Sequence, residues 1–113
     1  YFKTMKTKVY IAGAYQHPDQ CINTNKAILV ADKIAEAGMY QFVPHLYHFW
    51  HTMIPHEYQF WMDLDEVWLR QCDVFFRIDG DSKGADKEEE IAKSLGMPIY
   101  KDLDKLIYEK KEY

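Results

Sequence analysis

The chain has 113 residues with 18 Asp and Glu against 14 Lys and Arg, a mild excess of acid. That length supports one core and excludes a catalytic domain with a separate regulatory one. The scattered positive residues exclude the basic stripe that a nucleic-acid polymer requires, and no apolar run approaches the roughly 20 residues that span a bilayer. Nine Tyr, six Phe and three Trp make the chain rich in flat groups that can pack or stack.

"YFKT" before Met5 reads as an appended remnant, so a single domain is expected over 5–113. "KVYIAG", Lys8 to Gly13, is β-branched and aromatic and breaks at glycine, as a buried strand entering a loop does. Ala27, Ile28, Ala31, Ile34 and Ala35 recur at helical spacing between Asn23 and Ala37, with Asn23 or Asn25 to cap the start and Gly38 to end it. "YQFVPH", Tyr40 to His45, is a second strand stopped by Pro44. From Leu46 to Trp61 no clean period emerges, and Pro55 argues against one continuous helix, so this segment is expected to be an aromatic loop.

A helix from Pro55 or His56 to Gln71, a strand at Asp73 to Ile78, a helix from Gly84 to Leu95, a strand at Met97 to Tyr100 and a final helix capped by Asp102 complete the pattern. Strand and helix alternate four times. This predicts an α/β, three-layer sandwich with a parallel sheet of four to five strands, flavodoxin- or Rossmann-like. Ligands in such folds sit beyond the carboxyl ends of the strands, which directs attention to the loops after Gly13, His45, Ile78 and Tyr100.

Two acids in these regions fall on apolar faces. In "KEEEIAKSLG" residues three, four and seven beyond Glu88 are Ile91, Ala92 and Leu95, whereas Glu89 and Glu90 lead to mixed sets and read as solvated neighbours. Placed near a helix start, Glu88 is expected to be ionised, either as a complement to the helix dipole or as a nucleophile. Asp65 shares a face with Trp61, Trp68, Leu69 and Cys72, so it either borders that stripe at the surface or needs a hydrogen-bond partner or an opening. Ser82 and Gly84 in "DSKGA" offer a hydroxyl and an approachable backbone to a sugar or phosphate.

The spacings of a P-loop and of GxGxxG are absent. His45, His48, His51 and His56 lack HExxH spacing and an accompanying acid, so no metal site is expected. Cys21 and Cys72 show no CxxC pattern, and no secretory signal is evident, which points to a reduced, cytoplasmic home.

"VYIAGAY", "FVPH", "DEVWLRQCDVFF" and "SKGADKEEEIAKSLGMPI" occur in an order and spacing that resembles the nucleoside 2-deoxyribosyltransferase family and its nucleotide N-hydrolase relatives. The resemblance implies that a glutamate attacks the anomeric carbon of a nucleoside or nucleoside 5′-monophosphate, and that water or a second base resolves the glycosyl-enzyme. It implies Glu88 as nucleophile, Tyr10 as the residue that orients it, and Asp65 as the acid that positions substrate and helps protonate the base. Gly13, His45, Ser82 and Gly84 are the implied substrate contacts. No metal or organic cofactor and a homodimer or larger homo-oligomer are implied as well. The competing expectation is a non-catalytic nucleotide-binding or sensing module on the same fold.

Overall fold

The computed structural model describes residues 6–111, so the remnant expected at 1–4 lies outside the described residues. Among those described, the strands are β1 (Lys8–Ala12), β2 (Tyr40–Phe42), β3 (Val74–Arg77) and β4 (Ile99–Tyr100), and the helices are α1 (Gln20–Glu36), α2 (His48–Met53), α3 (Tyr58–Leu69), α4 (Lys83–Ser94) and α5 (Leu103–Lys110). The strands form one parallel sheet in the order β2-β1-β3-β4, with Tyr10 opposite Phe42 on one side and Phe75 on the other. The α/β three-layer architecture expected from the alternation is therefore present.

Alternation along the strands separates the two faces. Val9, Ile11, Val74 and Phe76 pack with Ala27, Ala31 and Ile34 of α1 and Leu106 of α5. Tyr10, Ala12 and Phe75 point the other way, onto Leu69 of α3 and Ala85 and Ala92 of α4. Chain direction reverses its progress across the sheet at β1, since β2 lies on one side and β3 on the other. The carboxyl ends of β1 and β3 thus border the crevice in which this class of sheet places its ligands.

Several local expectations are corrected. α1 begins at Gln20 because Asp19, rather than Asn23 or Asn25, caps it by accepting from the Ile22 amide at 2.9 Å. Asn23 is buried and donates to the carbonyls of Tyr15 and His17. Ile28 and Ala35 lie on the exposed side of α1. β2 ends at Phe42, and Pro44 to Tyr47 form a 3-10 turn with the proline in its first positions, where its missing N–H costs nothing. The expected aromatic loop is mostly helical: that turn runs into α2, and α3 starts only at Tyr58. No single period revealed it because the turn and α2 are each too short to show one, and a break around Ile54 and Pro55 separates them from α3.

Ser82 caps α4 through the Ala85 amide at 3.1 Å, and Asp102 caps α5 as expected. Gly38 takes a positive φ of 89° just beyond α1, a conformation that side chains resist.

Candidate active site

A cavity of about 760 Å³ opens over the ends of β1 and β3, within the roughly 300–1,000 Å³ typical of small-molecule sites. The loops after those strands form one wall. Gly13 is needed there because a Cβ would come within 3.0 Å of Ile78 Cβ, and the Ile78 amide donates to the Ala12 carbonyl at 2.8 Å. The opposite wall is α3, whose Tyr58, Trp61, Met62 and Asp65 recur at i, i+3, i+4 and i+7 and all line the cavity.

Glu88 and Asp65 meet in this cavity, both buried. α4 presents Ala85, Glu88, Glu89 and Ala92 to the interior, and the apolar members of that stripe carry Glu88 inward. From the sheet side Tyr10, fully buried among Phe42, Phe75 and Leu69, donates its hydroxyl to Oε2 of Glu88. Tyr10 lies behind the carboxylate, not in the cavity wall, and so can act on a ligand only through Glu88.

The helix start is not what favours an ionised Glu88, and burial opposes it. Glu88 sits six residues beyond the cap, past the first turn, and burial raises its pKa well above the ordinary carboxylate value. The hydrogen bonds from Tyr10 and Asp65 and the positive charge of Arg77 oppose that rise. Asp65 is also raised, first by burial and then by the Glu88 charge and their mutual hydrogen bond. A hydrogen bond between two carboxyls requires one to be protonated, and the donors clustered on Glu88 leave the shared proton with Asp65. Asp65 Oδ1 is shielded from water and has no hydrogen-bond partner among the described residues, an unmet acceptor in the cavity lining.

Ser82 and Gly84 line the same cavity. The Ser82 oxygen is occupied as cap acceptor, which leaves its O–H to donate. A Cβ on Gly84 would stand 3.2 Å from the Tyr58 hydroxyl, so this glycine admits α3 close against the start of α4. His45 is buried, and its Nε2 lies 3.0 Å from the Ala14 carbonyl, holding the loop after β1. Burial lowers its basicity, against the pull of the Ala14 and Gly13 carbonyls.

All five histidines of the chain line this one cavity. Even so, the described residues contain no group of three or more His, Cys, Asp or Glu arranged to hold a metal ion. An aromatic cluster backs the far wall: Trp61 stacks with Tyr47 at 5.5 Å and meets Trp50 edge-on at 5.1 Å.

Glu89 corrects a second expectation. Instead of standing in solvent it is buried, with Oε1 3.3 Å from Arg77 and Oε2 3.3 Å from Lys93 and 3.4 Å from Lys101. Counting forward from Glu89 missed Ala85 one turn behind it. Sequence reasoning also missed Arg77, which ends β3, pairs with Asp86 at 2.8 Å and donates to the Gly80 carbonyl at 2.9 Å. An arginine within a buried strand was the available signal, since it requires buried acids opposite. Glu90 is exposed, as expected.

Fold and cavity together define an open α/β protein with a cavity at the switch point of its sheet, floored by a tyrosine-braced pair of carboxyls. Residues 7–102 match the model of a family described as a domain of unknown function, DUF7768, and the chain belongs to that family. Comparison with curated proteins yields no match. Among solved structures, the chain is similar to a 2-deoxyribosyltransferase from the psychrotolerant bacterium Bacillus psychrosaccharolyticus, a biocatalyst for nucleoside synthesis, with a TM-score of 0.58 and 22% identity over 82% of this chain and 69% of that one. That likeness is one of fold, and at that level it agrees with the resemblance seen in the sequence. No helix among the described residues is long and apolar enough to cross a membrane.

Proposed function

We propose that this protein cleaves or transfers at the N-glycosidic bond of a nucleoside, deoxynucleoside or nucleoside 5′-monophosphate through a covalent glycosyl-Glu88 intermediate. The observation that carries the reading is the pair of buried carboxyls, Glu88 and Asp65, in one cavity, with Tyr10 donating to Glu88 from behind. The fold likeness to a protein named as a 2-deoxyribosyltransferase supports the choice of substrate class.

In this reading the Glu88 carboxylate attacks the anomeric carbon as the bond to the base nitrogen breaks. Asp65 passes its proton to the departing base. Water or a second base then attacks the same carbon, releasing Glu88 as carboxylate and returning a proton to Asp65. Two carboxyls that share one proton, one serving as carboxylate and the other as acid, are what a two-step displacement of this kind uses. Tyr10 is a positioning residue, which fixes the attacking oxygen and favours its ionised form. The Ser82 hydroxyl and the backbone at Gly13 and Gly84 hold sugar or 5′-phosphate oxygens, and the wall at Trp61 and Tyr47 faces the base. His45 acts by holding the loop after β1. No metal or organic cofactor enters this chemistry, and we place it in the cytoplasm, in a homodimer or larger homo-oligomer whose mass light scattering would give.

The test is base release from a panel of nucleosides and 5′-monophosphates, with and without an acceptor base. A 2-fluoro-2-deoxynucleoside, whose glycosyl-enzyme turns over slowly, is expected to add its sugar mass to the peptide containing Glu88. Ligand-induced stabilisation with no turnover from any member, unchanged in Glu88→Gln, would instead establish a non-catalytic binding module.

A further inference from the structure

His51 lies in α2 on the aromatic side of the cavity, and its two ring nitrogens are in different situations. Nδ1 receives the indole N–H of Trp61 at 2.8 Å and the backbone N–H of His56 at 3.3 Å. Both partners are obligatory donors, so Nδ1 carries the lone pair and the ring proton is on Nε2. Nothing among the described residues accepts from that Nε2–H, although the side chain is partly buried and lines the cavity. The other histidines do not offer a free N–H of fixed tautomer; the buried Nδ1 of His45, which has no hydrogen-bond partner among the described residues, is left as an acceptor when Nε2–H donates. His45 uses Nε2 on the Ala14 carbonyl, His48 has Tyr15 at 2.6 Å on Nδ1 and Cys21 at 3.8 Å on Nε2, and His56 is stacked on Phe60 at 4.0 Å.

The donor also sits at a defined remove from the carboxyls. Trp61 and Asp65 are one turn apart on the same face of α3, a separation of about 6 Å between Cβ atoms. The Trp61 and His51 rings meet edge to face at 5.5 Å. A sugar held at Glu88 and Asp65 would therefore direct its flat substituent along this wall, toward a donor whose tautomer is fixed.

We infer that His51 reads the departing base, its Nε2–H donating to a ring nitrogen or carbonyl oxygen on the base edge, with Trp61 as the positioning residue that sets the tautomer. This rests on the N-glycosidic reading above and adds to it a second contact on the leaving group, distinct from the proton donor Asp65. The contact selects bases that carry an acceptor at that edge. It also strengthens as negative charge builds on the base during bond cleavage, which favours the transition state over bound substrate.

Protein labelled with 15N-histidine, titrated with adenine, guanine, cytosine and thymine, tests the contact without requiring turnover. The long-range 1H–15N spectrum of the free protein is expected to show His51 as the Nε2–H tautomer, and at least one base should shift its Nε2 resonance. Trp61→Phe should release the single tautomer, a change that a purely structural role for Trp61 would not produce. The responding base is then compared with its analogue lacking one acceptor, such as the 7-deaza or 3-deaza form of a purine. His51→Phe should lower the preference for the parent base about tenfold, the scale of one hydrogen bond, and His51→Gln, which restores an N–H donor, should recover most of it.

No shift of His51 by any base, or an unchanged preference in His51→Phe, would overturn the inference. If His51 responds to a base but no nucleoside is cleaved, the glycosidic chemistry fails while the base contact stands. If nucleosides are cleaved with the same base preference in His51→Phe as in the wild type, the chemistry stands and the base contact fails.

Discussion

The hydroxyl of Tyr10, on a strand buried in the sheet, donates to Oε2 of Glu88, 78 residues further along the chain. This bond favours the ionised carboxylate against the burial that opposes it. Tyr10→Phe keeps the ring among Phe42 and Phe75 but removes the donor, so the pKa of Glu88 rises further. Its base-release rate at neutral pH is expected to fall about tenfold. The acid limb of its pH–rate profile should also move to higher pH. A profile matching the wild type would show that the phenol does not act on Glu88.

The two carboxyls should weaken the fold at neutral pH. Each is raised in the folded state, so its contribution to stability is fully present below the unfolded value near pH 4 and is lost as pH rises toward the folded value. Asp65→Asn is neutral in both states and so removes the cost of taking up a proton on folding. Its melting temperature at pH 7 should exceed that of the wild type by several degrees, on the order of 2 kcal/mol, while base release collapses. The gain should disappear near pH 4, and an equal gain at both pH values would show that proton uptake by Asp65 is not its source.

Arg77 joins the end of β3 to the start of α4 through Asp86, Glu89 and the Gly80 carbonyl. Arg77→Met leaves Glu89 buried with only the exposed Lys93 and Lys101 beside it. The expected loss of stability is about 3 kcal/mol, as for one partner removed from a buried pair. Since the Arg77 charge lowers the pKa of Glu88, the acid limb of the pH–rate profile should shift upward as in Tyr10→Phe. Glu89→Gln should destabilise less, because the arginine retains Asp86, and chemical denaturation of both variants measures the difference.

Gly84→Ala separates folding from binding. The added methyl group would meet only the ends of side chains, Tyr58 at 3.2 Å and Met62 at 3.7 Å, and Tyr58 is half exposed and free to swing outward. Better helix propensity should offset the contact, leaving stability within about 1 kcal/mol of the wild type. A displaced Tyr58 reshapes the cavity mouth, so KM should rise with little change in melting temperature. An unchanged KM would place the substrate away from this wall.

The strands at Lys8, Tyr40, Asp73 and Met97 and the helices between them were legible because their apolar periods are local properties of the chain. So was the place of Glu88 and Asp65, since an acid on an apolar helical face is visible in spacing alone. The helical character of 44–53 was not, because its two pieces are each too short for a period and depend on packing against Trp61 and Phe60. Glu89 was misread for the same reason: whether an acid beside a stripe is solvated depends on Arg77, which reaches it from another element. Sequence determined that Glu88 and Asp65 face inward, through the geometry of single helices, but not that Glu89 does. Tertiary structure decided which of them holds the proton, because only folding brings Tyr10 and Arg77 to Glu88 and leaves Asp65 with an unpaired oxygen in the same cavity.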